Sequence, residues 1–103
     1  MLDHVYVVVR ADVPQPHLSV QAAHAAVAAT FAYGDARKSH PNLVLCTVPD
    51  EQALLDEFER LKEAGVPVVL WREEDMDGQA TALATGPLRG KQRRELCQFA
   101  LLK

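Results

Sequence analysis

Three polar side chains that could take part in catalysis lie near the start of an alanine-rich segment. His17, Gln21 and His24 are separated by four and three residues, so they share one face if the helix of this segment starts a turn early and includes His17. A histidine at a helix start lies beside unpaired backbone N–H groups that favour anions, and imidazole can also transfer protons near neutral pH. The spacing therefore predicts a face that binds a phosphate or activates a water molecule.

A structural role is the alternative for one of these histidines. His24 shares a helical face with Val20, Ala23, Val27 and Phe31, and there it would be a hydrogen-bonded, partly buried residue of an apolar face. Joint metal binding by the two histidines is excluded, because they lie two helical turns apart, roughly 10 Å. We therefore expect no metal site at this face.

An acidic segment at residues 73–78 could assist the histidines. A carboxylate there, such as Glu73, could act as a general base or orient an imidazole. The segment lacks the spaced acids and the terminal glutamate of a calcium loop. The alternative is a solvated acidic turn.

A basic segment follows near the end of the chain, where Arg89, Lys91, Arg93 and Arg94 fall within six residues. Such a segment could clamp the phosphates of a nucleic acid. The alternatives are a solvated face or ion pairs with the acidic second helix, which is predicted to open at residues 49–51. The formal net charge of −3 argues against a general nucleic-acid binder, although a local basic segment can still contact phosphates.

Hydrophobic patterns place these residues on alternating strands and helices. His4–Arg10 is a β-branched run typical of a strand buried on both faces, and the carboxyl end of such a strand is where open α/β sheets bind ligands. A helix is predicted over residues 18–34, with Ser19 as its N-cap. The remaining predictions are strands at 42–48, 66–71 and 81–85, a helix opening at 49–51, a loop at 72–79, a turn or short helix at 88–95, and a strand or helix end at 96–102.

This order predicts one three-layer α/β domain over residues 1–103, with a four-stranded mixed sheet and helices packed on it. No apolar run reaches the roughly 20 residues of a membrane helix, and no signal peptide is recognisable, so we expect a cytoplasmic protein away from membranes. Cys46 and Cys97 lie in apolar runs and are expected to be buried. Nucleotide-binding, nucleophile-elbow and C-x-x-C motifs are absent from the sequence.

Five short motifs, in order along nearly the whole chain, resemble the second type of peptidyl-tRNA hydrolase, found in archaea, eukaryotes and some bacteria. The resemblance implies the fold of that family, hydrolysis of the ester between a peptide and the 3′ end of tRNA, no required cofactor, and a homodimer. The motifs are Val-Val-Val-Arg-Ala-Asp at 7–12, Gln-Ala-Ala-His-Ala-Ala-Val at 21–27, Pro-Asp-Glu at 49–51, Ala-Gly-Val-Pro-Val at 64–68 and Thr-Ala-Leu-Ala-Thr-Gly-Pro at 81–87.

The resemblance also implies roles for individual residues. Gln21, His24 and Thr81 match catalytic positions, and His17 stands where relatives carry a lysine. The loop before the fourth strand is shorter than in relatives, and Glu73 or Glu74 stands in for their aspartate. We therefore predict two sets of site residues, catalytic at His17, Gln21, His24, Glu73 and Thr81, and substrate-binding at Arg10, Asp12, Arg89, Lys91, Arg93 and Arg94.

The missing lysine leaves other functions open. One alternative is a catalytically lapsed homologue that binds RNA, a nucleotide or a protein. Another is a purely structural, dimer-forming protein, which an uncleft surface around His17 would favour.

Overall fold

A computed structural model gives the fold, and it describes residues 3–96 and the backbone of residues 100 and 101. Its strands form one mixed sheet in the order β3-β4-β1-β2-β5, in which β1 and β2 are parallel and the other neighbours antiparallel. The strands are β1 (His4–Arg10), β2 (Asn42–Val48), β3 (Val68–Glu73), β4 (Gln79–Thr85) and β5 (Ala100–Leu101); the helices are α1 (His17–Tyr33) and α2 (Glu51–Glu63), with 3₁₀ helices at Glu74–Met76 and Gly90–Leu96.

The predicted α/β class with a mixed sheet is confirmed. All four predicted strands are present, and the two-residue β5 pairs with the outer side of β2 as a short fifth strand. Both β1 and β2 begin and end where the sequence predicts. Leu88 follows β4 and bridges to His4, and the chain then forms the second 3₁₀ helix, as the prediction of a turn or short helix allowed.

The central strand β1 is buried on both faces, as predicted. Val5, Val7 and Val9 belong to the core under α1, whereas Tyr6 and Val8 belong to the core under α2. This alternation follows from the two-residue period of a strand. The sheet therefore separates two apolar layers, one beneath each helix.

The predicted start of α1 needs correction. The helix begins at His17 with Pro16 in the N-cap position, and Ser19 lies inside its first turn, where its Oγ donates to Gln15 Oε1 at 2.7 Å. The fixed φ of proline suits a helix start. The earlier start brings His17 onto the helix with Gln21 and His24.

The predicted apolar face of α1 was wrong. Val20, Val27 and Phe31 are 48%, 53% and 86% exposed, whereas Ala25 and Ala29 are buried against the sheet. Small side chains let the helix approach the sheet closely, and these three bulkier residues lie on its outer face.

The third strand lies two residues further along than predicted, and the loop after it is shorter. Arg72 and Glu73 belong to β3, and Gln79 already belongs to β4. The chain reverses through the first 3₁₀ helix and two residues with positive φ, Asp77 at 56° and Gly78 at 75°. Glu73 is therefore held on a strand and not on a loop.

Of the two cysteines, Cys46 is buried in the core under α2, and burial raises the pKa of its thiol. Cys97 lies outside the described residues. Of the predicted strand or helix end at 96–102, the structure describes Leu96 and the backbone of Ala100 and Leu101. Across the described part of the chain, no helix has the length and apolarity needed to span a membrane.

Candidate functional site

A β-bulge places the first functional candidate. Trp71 lies opposite Ala82 and Arg72 opposite Ala80, so Thr81 is the extra residue of β4. Its side chain is fully buried, and its Oγ1 donates a 2.7 Å hydrogen bond to Gln21 Oε1 on α1. Because of the bulge, the Thr81 hydroxyl points from the sheet toward α1.

The Glu73 carboxylate fixes the orientation of the Gln21 amide. An ionised carboxylate can only accept, so the amide nitrogen faces Glu73 and Oε1 faces the Thr81 hydroxyl, which donates to it. Nε2 then donates to Glu73 Oε2 at 3.0 Å, and Gln21 is 4% exposed. These three side chains form a hydrogen-bonded chain, which we call the Thr-Gln-Glu relay, across β4, α1 and β3.

The relay ends in a carboxylate that stays ionised. The hydrogen bond from Gln21 lowers the pKa of Glu73, and the backbone N–H of Asp75, 3.3 Å from Oε1, lowers it further. Glu73 is therefore negatively charged at neutral pH, a good hydrogen-bond acceptor and a weak base.

His24 lies beside the relay on an aromatic support. Its ring stacks on the indole of Trp71 with centroids 4.5 Å apart and planes 10° apart. His24 is exposed, so its interpretation as a residue of a buried apolar face was wrong. The buried Nε1 of Trp71 has no hydrogen bond of normal geometry, yet the indole is close enough to Glu73 to contribute to its lowered pKa.

Trp71 is a residue of the site that was not predicted from the sequence. Val69, Trp71 and Glu73 alternate along β3 and lie on the side of the sheet that α1 covers. Period-two alternation would have identified the tryptophan had the strand been predicted to extend to Glu73.

A concavity of about 450 Å³ opens beside these groups, at the start of α1. It contains both histidines and the exposed end of the relay, while Thr81 lies behind Gln21. We call it the α1 pocket, and its lining residues are Val13, Pro14, His17, Val20, Gln21, His24, Glu73, Asp75 and Met76. The structure therefore brings four of the five predicted catalytic residues to one pocket. The fifth, Thr81, donates a hydrogen bond to one of them, Gln21.

The predicted substrate-binding pair Arg10 and Asp12 lies elsewhere. Arg10 is 7% exposed and makes two 2.9 Å bonds to Asp12, one of 2.8 Å to Gln79 Oε1 and one of 3.0 Å to the Ala80 carbonyl. The guanidinium lowers the pKa of Asp12, and Asp12 raises the pKa of Arg10. This arrangement, the Arg10 strap, ties the end of β1 to the start of β4.

The basic segment also lies away from the α1 pocket. Arg89 donates to Asp3 beside the start of β1, and Arg93 donates to the Tyr6 hydroxyl at 3.0 Å on the α2 side of the sheet. Lys91 and Arg94 are exposed on the same 3₁₀ helix. None of the four lines the pocket, so their substrate-binding role stays a prediction.

A larger concavity of about 760 Å³ lies at the opposite end of the sheet, near the end of α1. Tyr33, Lys38 and His40 are among its lining residues. It contains none of the predicted catalytic residues, so we place the candidate active site in the smaller α1 pocket. Within residues 3–96, no three His, Cys, Asp or Glu side chains are grouped as a metal site would require.

Comparisons with known proteins concern the fold and the family of the chain. A protein of unknown function from Agrobacterium tumefaciens has a similar structure, with a TM-score of 0.74, 15% sequence identity and 100% of each chain covered. At this identity the likeness concerns the fold alone. No curated protein matches the chain significantly. The family model described as peptidyl-tRNA hydrolase PTH2 matches residues 4–98, and the chain therefore belongs to this family.

Proposed function

We propose that this protein hydrolyses the ester between an acyl group, such as a peptide, and the 3′ end of tRNA in the cytoplasm. The family supports this reaction, and the observation that carries it is the Thr-Gln-Glu relay ending in a pocket that contains two histidines. A surface without a cleft would favour a purely structural protein, but His17 lines a pocket of about 450 Å³.

His17 is the proposed general base. It is the first residue of α1, and it lines the same pocket as the Glu73 carboxylate. Glu73 is the weaker base because its pKa is lowered, so its part is to accept a hydrogen bond and to stabilise positive charge on an imidazole.

Gln21 positions the reactants. Its nitrogen carries two hydrogens, so it can hold Glu73 with one and donate the other to a water molecule or to the ester carbonyl. His24, held flat by Trp71, provides a second imidazole on the same side of α1.

The reaction needs only water and a proton carrier. The water oxygen bonds to the ester carbonyl carbon while His17 takes its proton. The tetrahedral intermediate then collapses, the bond to the ribose oxygen breaks, and that oxygen takes the proton from His17. Free tRNA and the acid are released, and the imidazole returns to its starting state.

The test is turnover of N-acetylphenylalanyl-tRNA by the wild type and by His17→Ala. Loss of a general base is expected to lower kcat by about 10²–10⁴-fold. His40→Ala is the matched control, because His40 is exposed and lies outside the α1 pocket. It should keep the wild-type rate.

Three outcomes would contradict the proposal. Wild-type rates in His17→Ala would remove His17 from the mechanism. Saturable tRNA binding without turnover would support the lapsed homologue. Activity present only in the His17→Lys variant would indicate a protein whose activity was lost when histidine replaced the lysine of its relatives.

A further inference from the structure

The imidazole of His24 is an exposed ring that is held on a second ring. His24 lies on α1 and stacks on the indole of Trp71 on β3, with centroids 4.5 Å apart and planes 10° apart. One face of the imidazole therefore covers the indole. Because His24 is exposed, the other face is accessible to a ligand. We call this stack of two rings the His24 platform.

The His24 platform borders the α1 pocket. His24 lines this pocket together with Gln21, which lies three residues before it on the same helix. Three residues correspond to about 4.5 Å along a helix axis. Since Gln21 is the proposed donor to the ester, the platform lies beside the scissile bond, within the length of one nucleotide.

The surface of α1 around the platform is apolar and carries no charge. Val20 and Val27 lie one helical turn before and after His24, and both are exposed. None of the residues of α1 is a lysine, arginine, aspartate or glutamate. A flat ring between two exposed valines fits a planar, uncharged group better than a phosphate or a carboxylate.

The acids of the α1 pocket disfavour phosphates at the same place. Glu73 and Asp75 line the pocket, and no lysine or arginine is among its described lining residues. The lowered pKa of Glu73 keeps its carboxylate ionised, so a phosphate close to it is repelled. A nucleic acid therefore approaches the proposed site most favourably with its neutral parts, the ribose and the base.

The substrate of the proposed reaction carries one planar, neutral group in every case. The scissile ester joins the acyl group to the ribose of the 3′-terminal nucleotide of tRNA, which is an adenosine, whereas the side chains of the acyl group vary. This nucleotide is unpaired, and unpaired RNA bases commonly stack on aromatic side chains, including histidine. Its adenine is the group that we expect on the platform.

We propose that the His24 platform stacks the adenine of the 3′-terminal nucleotide of tRNA. This assignment rests on the proposed ester hydrolysis, because that reaction supplies the substrate. Trp71 holds the imidazole in place before the base arrives, so little rotational freedom of the side chain is lost on binding. In this role His24 binds the base through the face of its ring and transfers no proton.

The test measures the binding of two short RNA hairpins, so it does not depend on turnover. One hairpin reproduces the acceptor stem of tRNA with its C-C-A end, and the other carries an abasic ribose in place of the terminal adenosine. Loss of one stacked base is expected to raise Kd by about 5–150-fold at a fixed salt concentration. In NMR spectra, the ring protons of His24 should shift upfield with the intact hairpin only, because a stacked base shields them.

Two substitutions of His24 separate stacking from the other roles of an imidazole. His24→Ala removes the ring and should make the two hairpins bind equally. His24→Phe keeps a flat ring that cannot transfer a proton, and it should keep the preference for the intact hairpin. Phe31→Ala is the matched control, because Phe31 is an exposed aromatic residue of the same helix outside the pocket lining, and this variant should keep the full preference.

The outcomes distinguish this assignment from the proposed hydrolysis. Equal binding of the two hairpins by the wild type, or a preference that survives in His24→Ala, would overturn the platform even if N-acetylphenylalanyl-tRNA is hydrolysed. A preference lost in both His24 variants would mean that His24 acts through its nitrogen atoms, which would also overturn stacking. A preference for the intact hairpin that depends on the ring, without turnover of any tRNA ester, would support the platform and overturn the hydrolase proposal.

Discussion

At the scale of single residues, the candidate site depends on one buried hydroxyl. Thr81 is fully buried and its Oγ1 donates to Gln21 Oε1, while the Gln21 nitrogen donates to Glu73. Without the hydroxyl, the amide would keep its bond to Glu73 but would lose its bond to β4, and Oε1 would be buried without this donor. The relay therefore ties β4 to β3 through a side chain of α1.

Thr81→Val tests this dependence, because valine has nearly the shape of threonine and lacks the hydroxyl. Leaving Gln21 Oε1 buried without a partner is expected to cost about 1–3 kcal/mol of unfolding free energy. We also expect a fall in kcat with little change in KM, because the substrate does not contact Thr81. Urea unfolding and steady-state kinetics measure the two effects.

Thr81→Ser is the matched control for this prediction. It keeps the hydroxyl and removes one methyl group, so kcat should stay near that of the wild type. A Thr81→Val protein with wild-type kcat would mean that the relay has no part in the reaction.

At the scale of elements, sequence patterns predicted some parts of the fold correctly and others wrongly, for identifiable reasons. The strand β1 was predicted with its correct ends because a β-branched run between polar residues fits a buried strand. The buried face of α1 was predicted wrongly because alanines occur all round this helix. Periodicity of apolar residues then does not distinguish the face that packs from the face in solvent.

The sequence also predicted four members of the α1 pocket, from helical spacing and from the acidic segment. It could not predict the relay. A β-bulge depends on the register between two strands, and no local pattern around Thr81 specifies that register. The partners of Arg10 were missed for the same reason, since Gln79 lies 69 residues further along the chain.

The Arg10 strap is a connection between elements whose contribution to stability depends on pH. Arg10 lowers the pKa of Asp12 in the folded protein, so the unfolded chain binds a proton more readily. The stability contributed by the strap is therefore present above the unfolded pKa of about 3.9 and is lost as pH falls through the lower folded value. The carboxylate is 42% exposed, so screening limits this contribution to on the order of 1 kcal/mol.

Asp12→Asn is expected to lower the unfolding free energy at pH 7. Below about pH 4, the difference in unfolding free energy between this variant and the wild type should become smaller. Urea unfolding at a series of pH values measures this difference. Asp77→Asn, which changes an exposed aspartate of the β3–β4 turn, serves as the control and should give no such narrowing. A difference that widens toward acid pH would contradict the role given to the strap.

At the scale of the whole molecule, the sheet separates the proposed catalytic site from the apolar core under α2. The α1 pocket and the relay lie on one side, whereas the other side holds the core under α2, in which Leu54, Leu61 and Leu83 are fully buried. The relay reaches the sheet through β3 and β4, which α1 covers, and makes no hydrogen bond to α2. A change in the core under α2 should therefore affect unfolding more than chemistry.

Leu61→Ala tests this separation. Removing a fully buried leucine side chain is expected to cost about 2–5 kcal/mol of unfolding free energy, because it leaves a cavity as well as losing apolar contacts. At a temperature where the variant stays folded, its kcat should match the wild type, in contrast to Thr81→Val. Leu43→Ala is the control, since Leu43 is 59% exposed and its loss should change stability little. A folded Leu61→Ala protein with a strongly reduced kcat would mean that the two faces of the sheet are coupled, and that the geometry of the relay depends on the core under α2.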